Sequence, residues 1–415
     1  MRALLLLPLL AACDPAKSGP DAPAAGAPTY HADVRPILDQ SCARCHTEGG
    51  IAFSLDDAET AVSMAAAMKA AVESGQMPPP APDPACRDYE SSARFTLTDA
   101  QRATIGAWAD AGAPLGDPAD APGTRDDSLV SLAPYDLELW ASQPYTPVFP
   151  ADGNDYRCFL FDVGNAETTW ITGMQALVDN TSIVHHVVLF DPNGTDDLWD
   201  EGDPHDGFSC SGLGQANWAT LGAWGPGANP TVLPDGMGIR LEPNDQVILQ
   251  VHYYDSFDGA DMESDRSGYG LLLTDTVTHE AVNYAAGPTS FTLEAGDADA
   301  TARQLVPLSE DAQILGVWPH MHLLGTAFEE RVTHGDGSET CLLRMDAYSF
   351  HNQVQANFLE PVAVAAGDRI RITCHYDNSA ANPNQYNDPP EDVAFGEGTN
   401  DEMCFGFTLV ATPVE

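Results

Sequence analysis

Six residues in the second half of the chain have the types and spacing to hold transition metals. His185 and His186 are adjacent, and His252 follows 66 residues after the second of them. His320 and His322 form a His-x-His pair, with Met403 beyond them in Asp401-Glu402-Met403-Cys404. Imidazole nitrogens bind first-row metals, and a thioether is a soft ligand that favours Cu(I) over harder divalent ions. An all-nitrogen set beside a set of two nitrogens and one sulfur fits two coppers with different redox tasks, and hence oxygen chemistry. On a strand, His320 and His322 share a face and converge on one ion. Neighbours such as His185 and His186 point to opposite faces. They share a metal only at a strand end or bulge, or through different ring nitrogens.

A third constellation lies ahead of these. Cys42-Ala43-Arg44-Cys45-His46 has the spacing by which haem c is attached. Two thiols add to the vinyl groups and the histidine is an axial iron ligand. Alone, the five residues also fit chance or half a zinc site. Met77 stands 31 residues after His46 in Gln76-Met77-Pro78-Pro79. There the prolines impose an extended loop that offers the sulfur as sixth ligand. Met64 and Met68 are the alternatives, although four-residue spacing in an Ala-rich helix suits core packing. The segment resembles small class I cytochromes c over about 85 residues, with Ile105–Ala113 in the place of their closing helix.

The elements that must position these groups change character along the chain. Residues 29–116 read as helical. Ala58 to Val72 is predicted as one Ala- and Met-rich helix, and Thr96-Leu97-Thr98-Asp99 opens another through Trp108. Pro, Gly and Asp from Pro114 to Pro122 mark a linker, taken as 117–135. Short β-type runs follow, among them Ile183–Phe190, Gln246–Tyr254, Ile314–Phe328, Asp368–His375 and Met403–Ala411. Many short strands without long helices predict antiparallel sandwiches or barrels.

At 415 residues the chain has room for two or three domains. Its 17 basic against 62 acidic residues give a formal charge of −45. That excludes nucleic acid as a partner, and an anionic membrane surface as an electrostatic one. The acidity suits a solvated surface in salty surroundings. The acidic loop Asp191–Asp206 lacks EF-hand spacing, so calcium is not expected there. Residues 1–12 read as a signal peptide, with Arg2 before the apolar run Ala3–Leu10. Leu10-Ala11-Ala12-Cys13 resembles a bacterial lipobox, which makes Cys13 a lipid anchor and 13–28 a flexible tether. The alternative is an ordinary secretory leader with Cys13 incidental. Either way export is expected, to the periplasm or cell surface, with membrane contact only through the lipid. Exported thiols tend to pair, so the six cysteines besides Cys13, Cys42 and Cys45 are expected in disulfides.

Four flanking motifs occur in order: Val184-His185-His186-Val187-Val188-Leu189-Phe190, Gln250-Val251-His252-Tyr253, His320-Met321-His322-Leu323-Leu324-Gly325 and Asp401-Glu402-Met403-Cys404. From roughly Tyr156 to Val410 the chain resembles the copper type II ascorbate-dependent monooxygenases, the family of peptidylglycine hydroxylating and dopamine β-monooxygenases. The resemblance implies that His185, His186 and His252 bind an electron-storing copper. It implies that His320, His322 and Met403 bind the copper where oxygen is reduced. It also implies two consecutive jelly-roll-like sandwiches, taken here as 136–285 and 286–415, facing each other across a solvent-filled cleft. Cys158–Cys210 and Cys374–Cys404 match family disulfides, while several others have no counterpart. Cys86 and Cys341 are left over, and only the export argument pairs them. The expected fold is therefore multidomain: a small all-α cytochrome c-like domain followed by two all-β antiparallel sandwich copper domains.

The family reaction puts one atom of O2 into a C–H bond and one into water, using one electron from each copper. With haem fused to it, electrons from ascorbate or a protein donor are expected to pass through haem c; a docking or sensing role is the alternative. In the amidating branch, an Arg two residues before His-x-His and a Tyr four after the Met hold the peptide's terminal carboxylate. Trp318 and Phe407 occupy those positions here. Neither pairs with a carboxylate, and burying one unpaired is costly. The expected substrate is small, neutral or cationic, and largely apolar or aromatic, unless both rings merely fill the core. The competing class is a copper/haem electron-transfer or copper-binding surface protein without turnover. Retention of all six ligand types, Met403 included, weighs against it. His31, His205, His279, His334, His351 and His375 lie outside the motifs and are read as surface or satisfied core.

Overall fold

A computed structural model describes residues 26–43, 45–47, 53–90, 96–122, 131–150, 153–194, 203–211, 214–215, 217–254, 263–350, 352–353 and 355–414. The leader, Cys13, most of the tether, part of the linker, the middle of the acidic loop and His351 lie outside them.

The first portion is helical. After a π turn at Tyr30–Val34 come α1 (Arg35–Ser41), α2 (Ala58–Ser63), α3 (Ala65–Ser74) and α4 (Asp99–Asp110). Thr98 and Gln101 start α4 with a reciprocal capping box, which satisfies donors left over at the helix end. The single helix expected over Ala58–Val72 is broken at Met64, where ψ is 0°. The break lets Ala61, Ala65, Met68 and Val72 all reach one core with Tyr30, Val34, Leu38, Ile105 and Trp108. Met68 belongs to that core and Met64 packs against it.

The rest is β structure, as alternating and β-branched runs require. A five-stranded sheet runs Phe208–Ser209, Asn154–Asp162, Gln246–Tyr254, Val184–Asp191, Ala219–Trp224 in space. A four-stranded sheet runs Ala300–Pro307, Arg369–Tyr376, Gly325–Thr333, Glu339–Met345. Between them a nine-stranded sheet serves both halves. Its N-terminal part includes Thr169–Leu177, Met237–Leu241 and Gly268–Thr274, and its C-terminal part His279–Ala286, Phe405–Pro413, Ala312–His320 and Ala356–Val364. The halves join where His279 and Glu280 pair in parallel with Met237 and Gly238. Strand His279–Ala286 pairs along its whole length with Phe405–Pro413, so it belongs to the second sandwich, and the boundary expected between 285 and 286 falls inside it.

Among the described residues three disulfides are present: Cys158–Cys210, Cys374–Cys404 and Cys86–Cys341. The last ties the segment between α3 and α4 to strand Glu339–Met345. Along the same seam, Asp83 pairs with the Arg344 guanidinium, the Arg87 side chain donates to the Cys341 carbonyl, and Tyr89 hydroxyl donates to the Leu342 carbonyl at 3.1 Å. Residues 83–90 therefore form a strap on the second sandwich rather than part of the helical core.

Candidate metal centres

The first histidine set forms on two adjacent strands. Val184–Asp191 and Gln246–Tyr254 pair antiparallel, and the register shifts between Val184 and His186. That bulge turns both neighbouring histidines toward His252, overcoming the alternation that would separate them. Nδ1 of His186 lies 3.2 Å from Nδ1 of His185 and 3.3 Å from Nδ1 of His252. Two imidazole nitrogens bound at ~2.0–2.1 Å to one ion at a tetrahedral angle lie about 3.3 Å apart, so the spacing fits a shared metal. His252 donates Nε2–H to Asn154 Oδ1 at 2.8 Å, which leaves Nδ1 as the lone pair in the cluster. Burial first, then repulsion from neighbouring histidines, holds His186 and His252 well below the usual imidazole range. Neutral imidazole is the ligating form.

The second set forms differently from the strand alternation expected. Strand Ala312–His320 ends at His320, and the ladder ends just after Pro319, which has no N–H to give. His322 lies in the turn before Gly325–Thr333. The two rings still come together, with centroids 5.2 Å apart and planes at 89°. His320 donates Nδ1–H to Gln353 Oε1 at 2.5 Å and His322 donates Nδ1–H to the Asp401 carbonyl at 3.1 Å. Both therefore offer Nε2. Burial, then His322, pushes His320 down to about 3. Met403 is 1% exposed and lines the same cavity.

Glu402 builds this centre, although its motif, Asp401-Glu402-Met403-Cys404, pointed to Met403 and gave Glu402 no role. Its buried carboxyl accepts the N–H groups of His322 at 3.0 Å, Leu324 at 2.6 Å and Met403 at 3.3 Å. One side chain thus clamps both segments that carry the ligands. Asn154 and Gln353 were equally invisible, because each acts on a histidine remote in sequence.

His186, His252, His320, His322 and Met403 all line one cavity that is partly open to solvent. Trp318 and Phe407 form its aromatic wall, with centroids 4.8 Å apart, and Trp318 donates its N–H to the Gln353 carbonyl. They also pack with Leu160, Val188, Phe190 and Ile248 of the first sandwich, so they serve both the core and the cavity. The solvent-filled cleft expected from the resemblance is partly occupied: the Phe350 ring lies between His185 and His322.

In the helical part, Cys42 and Cys45 are unbridged, and burial pushes their thiols up to about 12 and about 11. His46 donates Nδ1–H to the Phe53 carbonyl at 3.0 Å, leaving Nε2 as the free ligand atom. Gly227 adopts φ +81°, and a Cβ there would come within 2.9 Å of Cys45 Sγ, so the Cys-x-x-Cys-His turn abuts the first sandwich. Met77 follows α3, its N–H donating to the Ala71 carbonyl. Among other histidines, His205 pairs with Asp203 and Asp162, and His334 bonds Asp368 and Thr340. His279 bonds Thr278, His31 packs on Tyr30, and His375 sits in strand Arg369–Tyr376.

Residues 144–258 match the family model for the copper type II ascorbate-dependent monooxygenase N-terminal domain, and 277–413 the model for its C-terminal domain. The chain belongs to the copper type II ascorbate-dependent monooxygenase family. It is similar to peptidyl-glycine alpha-amidating monooxygenase A of Xenopus laevis, with 24% identity over 271 residues, covering 62% of this chain and 26% of the relative. The peptidylglycine alpha-amidating monooxygenase of Rattus norvegicus is 31% identical over 156 residues, covering 35% of this chain and 15% of the relative. The chain thus spans about a quarter or less of the length of these curated relatives. Solved structures similar in outline include the infectious bursal disease virus VP2 subviral particle, with TM-score 0.20, 9% identity, and coverage of 71% of this chain and 75% of that one. A second is a secreted protein from Eubacterium rectale, with TM-score 0.22, 10% identity, and coverage of 64% and 70%. At such scores they carry no argument.

Proposed function

We propose that this chain is an exported, lipid-anchored hydroxylase of a small neutral or cationic, largely apolar or aromatic molecule. His185, His186 and His252 hold one copper, and His320, His322 and Met403 the other. The observation that carries this reading is one cavity lined by five of the six ligands, drawn from both sets, and by an aromatic wall. Copper supplies the one-electron steps and the activation of O2. The chain's own residues do the rest. Asn154 and Gln353 fix which imidazole nitrogen faces the metal, and Glu402 fixes the backbone of His322 and Met403. Trp318, Phe407, Val188 and Phe190 exclude water and present a surface for an apolar substrate. Glu397 also lines the cavity, which disfavours an anion.

Haem c on Cys42 and Cys45, with His46 and Met77 as axial ligands, is the proposed electron entry from ascorbate or a protein donor. Two free thiols, the His46 tautomer and the approach of Cys45 to Gly227 support it. The three disulfides support an oxidising compartment such as the periplasm. Oxygen uptake by the reduced, copper-loaded protein with a panel of aromatic amines, aromatic alcohols and a glycine-extended peptide tests the reading. Uptake coupled to hydroxylation of an aromatic is expected. Amidation of the peptide would overturn the substrate assignment, and an absorption spectrum without haem bands would overturn the relay.

A further inference from the structure

The reaction needs two electrons where oxygen is reduced, yet each ligand set holds one. The second electron must cross from the first cluster to the other. We propose that Phe350 is the bridge for that crossing, an inference that rests on the ligand assignment above. Its ring stacks on His185, with centroids 5.2 Å apart and planes at 25°. It meets His322 at 6.0 Å and 85°. One aromatic ring therefore touches a ligand of each cluster, and it is 7% exposed. An electron crossing by this route goes through packed side chains rather than through solvent.

The loop carrying Phe350 is latched to the His-Met-His segment on both sides. Before it, Tyr348 hydroxyl accepts the Met321 N–H at 3.0 Å and donates to the Met321 carbonyl at 2.8 Å. After it, Gln353 donates Nε2–H to the Phe350 carbonyl at 2.8 Å while its Oε1 accepts from His320. That carbonyl fixes the orientation of the Gln353 amide, and so the tautomer of His320. Asn352 donates to the Pro80 carbonyl at 3.0 Å, anchoring the loop to the segment after Met77. The His320–His322 segment and the ring are held as a unit, the kind of preorganisation a fixed electron path requires.

The step moves one electron and no atoms. With copper bound, the first cluster would give up one electron, Cu(I) becoming Cu(II), and that electron would serve the reduction of oxygen at the second. The phenyl ring provides orbital overlap and is itself neither oxidised nor reduced. Without organic substrate the balance is two Cu(I), one O2 and two protons giving two Cu(II) and one H2O2.

That reaction provides the test. Fully reduced, two-copper protein is mixed with O2 and frozen at intervals, and Cu(II) spins are counted by electron paramagnetic resonance. In wild type and in Phe350→Tyr, which keeps the ring, all spins should appear in one phase. In Phe350→Leu and Phe350→Met, which keep an apolar side chain without a ring, half should appear quickly and half in a separate slow phase. A single wild-type phase in either ringless variant that retains two coppers overturns the bridge. A wild-type protein that binds fewer than two coppers overturns the ligand assignment, and the bridge with it.

Discussion

Three of the five cluster histidines are aimed by partners far away in sequence: His252 by Asn154, His320 by Gln353 and His322 by the Asp401 carbonyl. Asn154 Oδ1 takes the Nε2–H of His252, so Asn154→Ala frees the ring to rotate and to change tautomer. Loss of such a partner typically weakens metal binding about 10- to 100-fold. Competition with a copper chelator should show that loss at one of the two sites only. Met403 is buried, and Ile fills a similar volume, so Met403→Ile should cost under about 1.5 kcal/mol of stability. Hydroxylation should nevertheless vanish, because the thioether that favours Cu(I) is gone. Copper content, thermal melting and turnover measured on one preparation would check this, and turnover near wild type would remove Met403 from the site. The histidines themselves were legible because four motifs stand in order with their flanks intact. Asn154, Gln353, Glu402 and Phe350 were not. Each is an ordinary residue type whose role exists only once the chain brings it to a ring or backbone 33 to 98 residues away or, for Phe350, between two clusters.

Strands and turns decide how those residues meet. Gln246–Tyr254 was readable to the residue from its β-branched and aromatic run. The run Ile314–Phe328 was not one strand. It divides into Ala312–His320 and Gly325–Thr333, and the second histidine falls in the turn between them. Pattern alone could not show this, since Met321 and Leu324 are as apolar as strand residues but are buried in the turn. The facing strands carry a further titratable group. Glu330 is wholly buried and packs where a Cβ at Gly406 would collide with it, with Thr408 hydroxyl donating to its Oε1 at 2.7 Å. Burial pushes its carboxyl up to about 7. A raised folded value means the folded state holds the proton more tightly than the unfolded chain. The stability it contributes is therefore full below about pH 4.5 and lost as pH rises through about 7. Denaturant titrations of wild type and Glu330→Gln at pH 5 and pH 8 should show the stability difference shifting toward the variant at the higher pH, by on the order of a few kcal/mol. A difference that does not change with pH would mean Glu330 titrates normally.

At the scale of the whole molecule, the two sandwiches are joined by a continuous sheet and by the aromatic cluster around Trp318 and Phe407. The strap at residues 83–90 carries the Cys86–Cys341 bond, which links the helical part to the second sandwich across 255 residues. Composition exposed the all-β character of this region and the change from helices near residue 116. It could not expose the shared sheet, because strand pairing between halves leaves no local pattern. Two distinct copper centres built from two separate ligand sets on one chain predict a definite copper content. Copper per chain, measured on reconstituted wild type, His186→Ala and His322→Ala, is the decisive measurement. The expected counts are about two, one and one, with each variant keeping the spectroscopic signature of the opposite centre. A wild type that binds one copper or none, or a His322→Ala protein that still binds two with an unchanged spectrum, would contradict it.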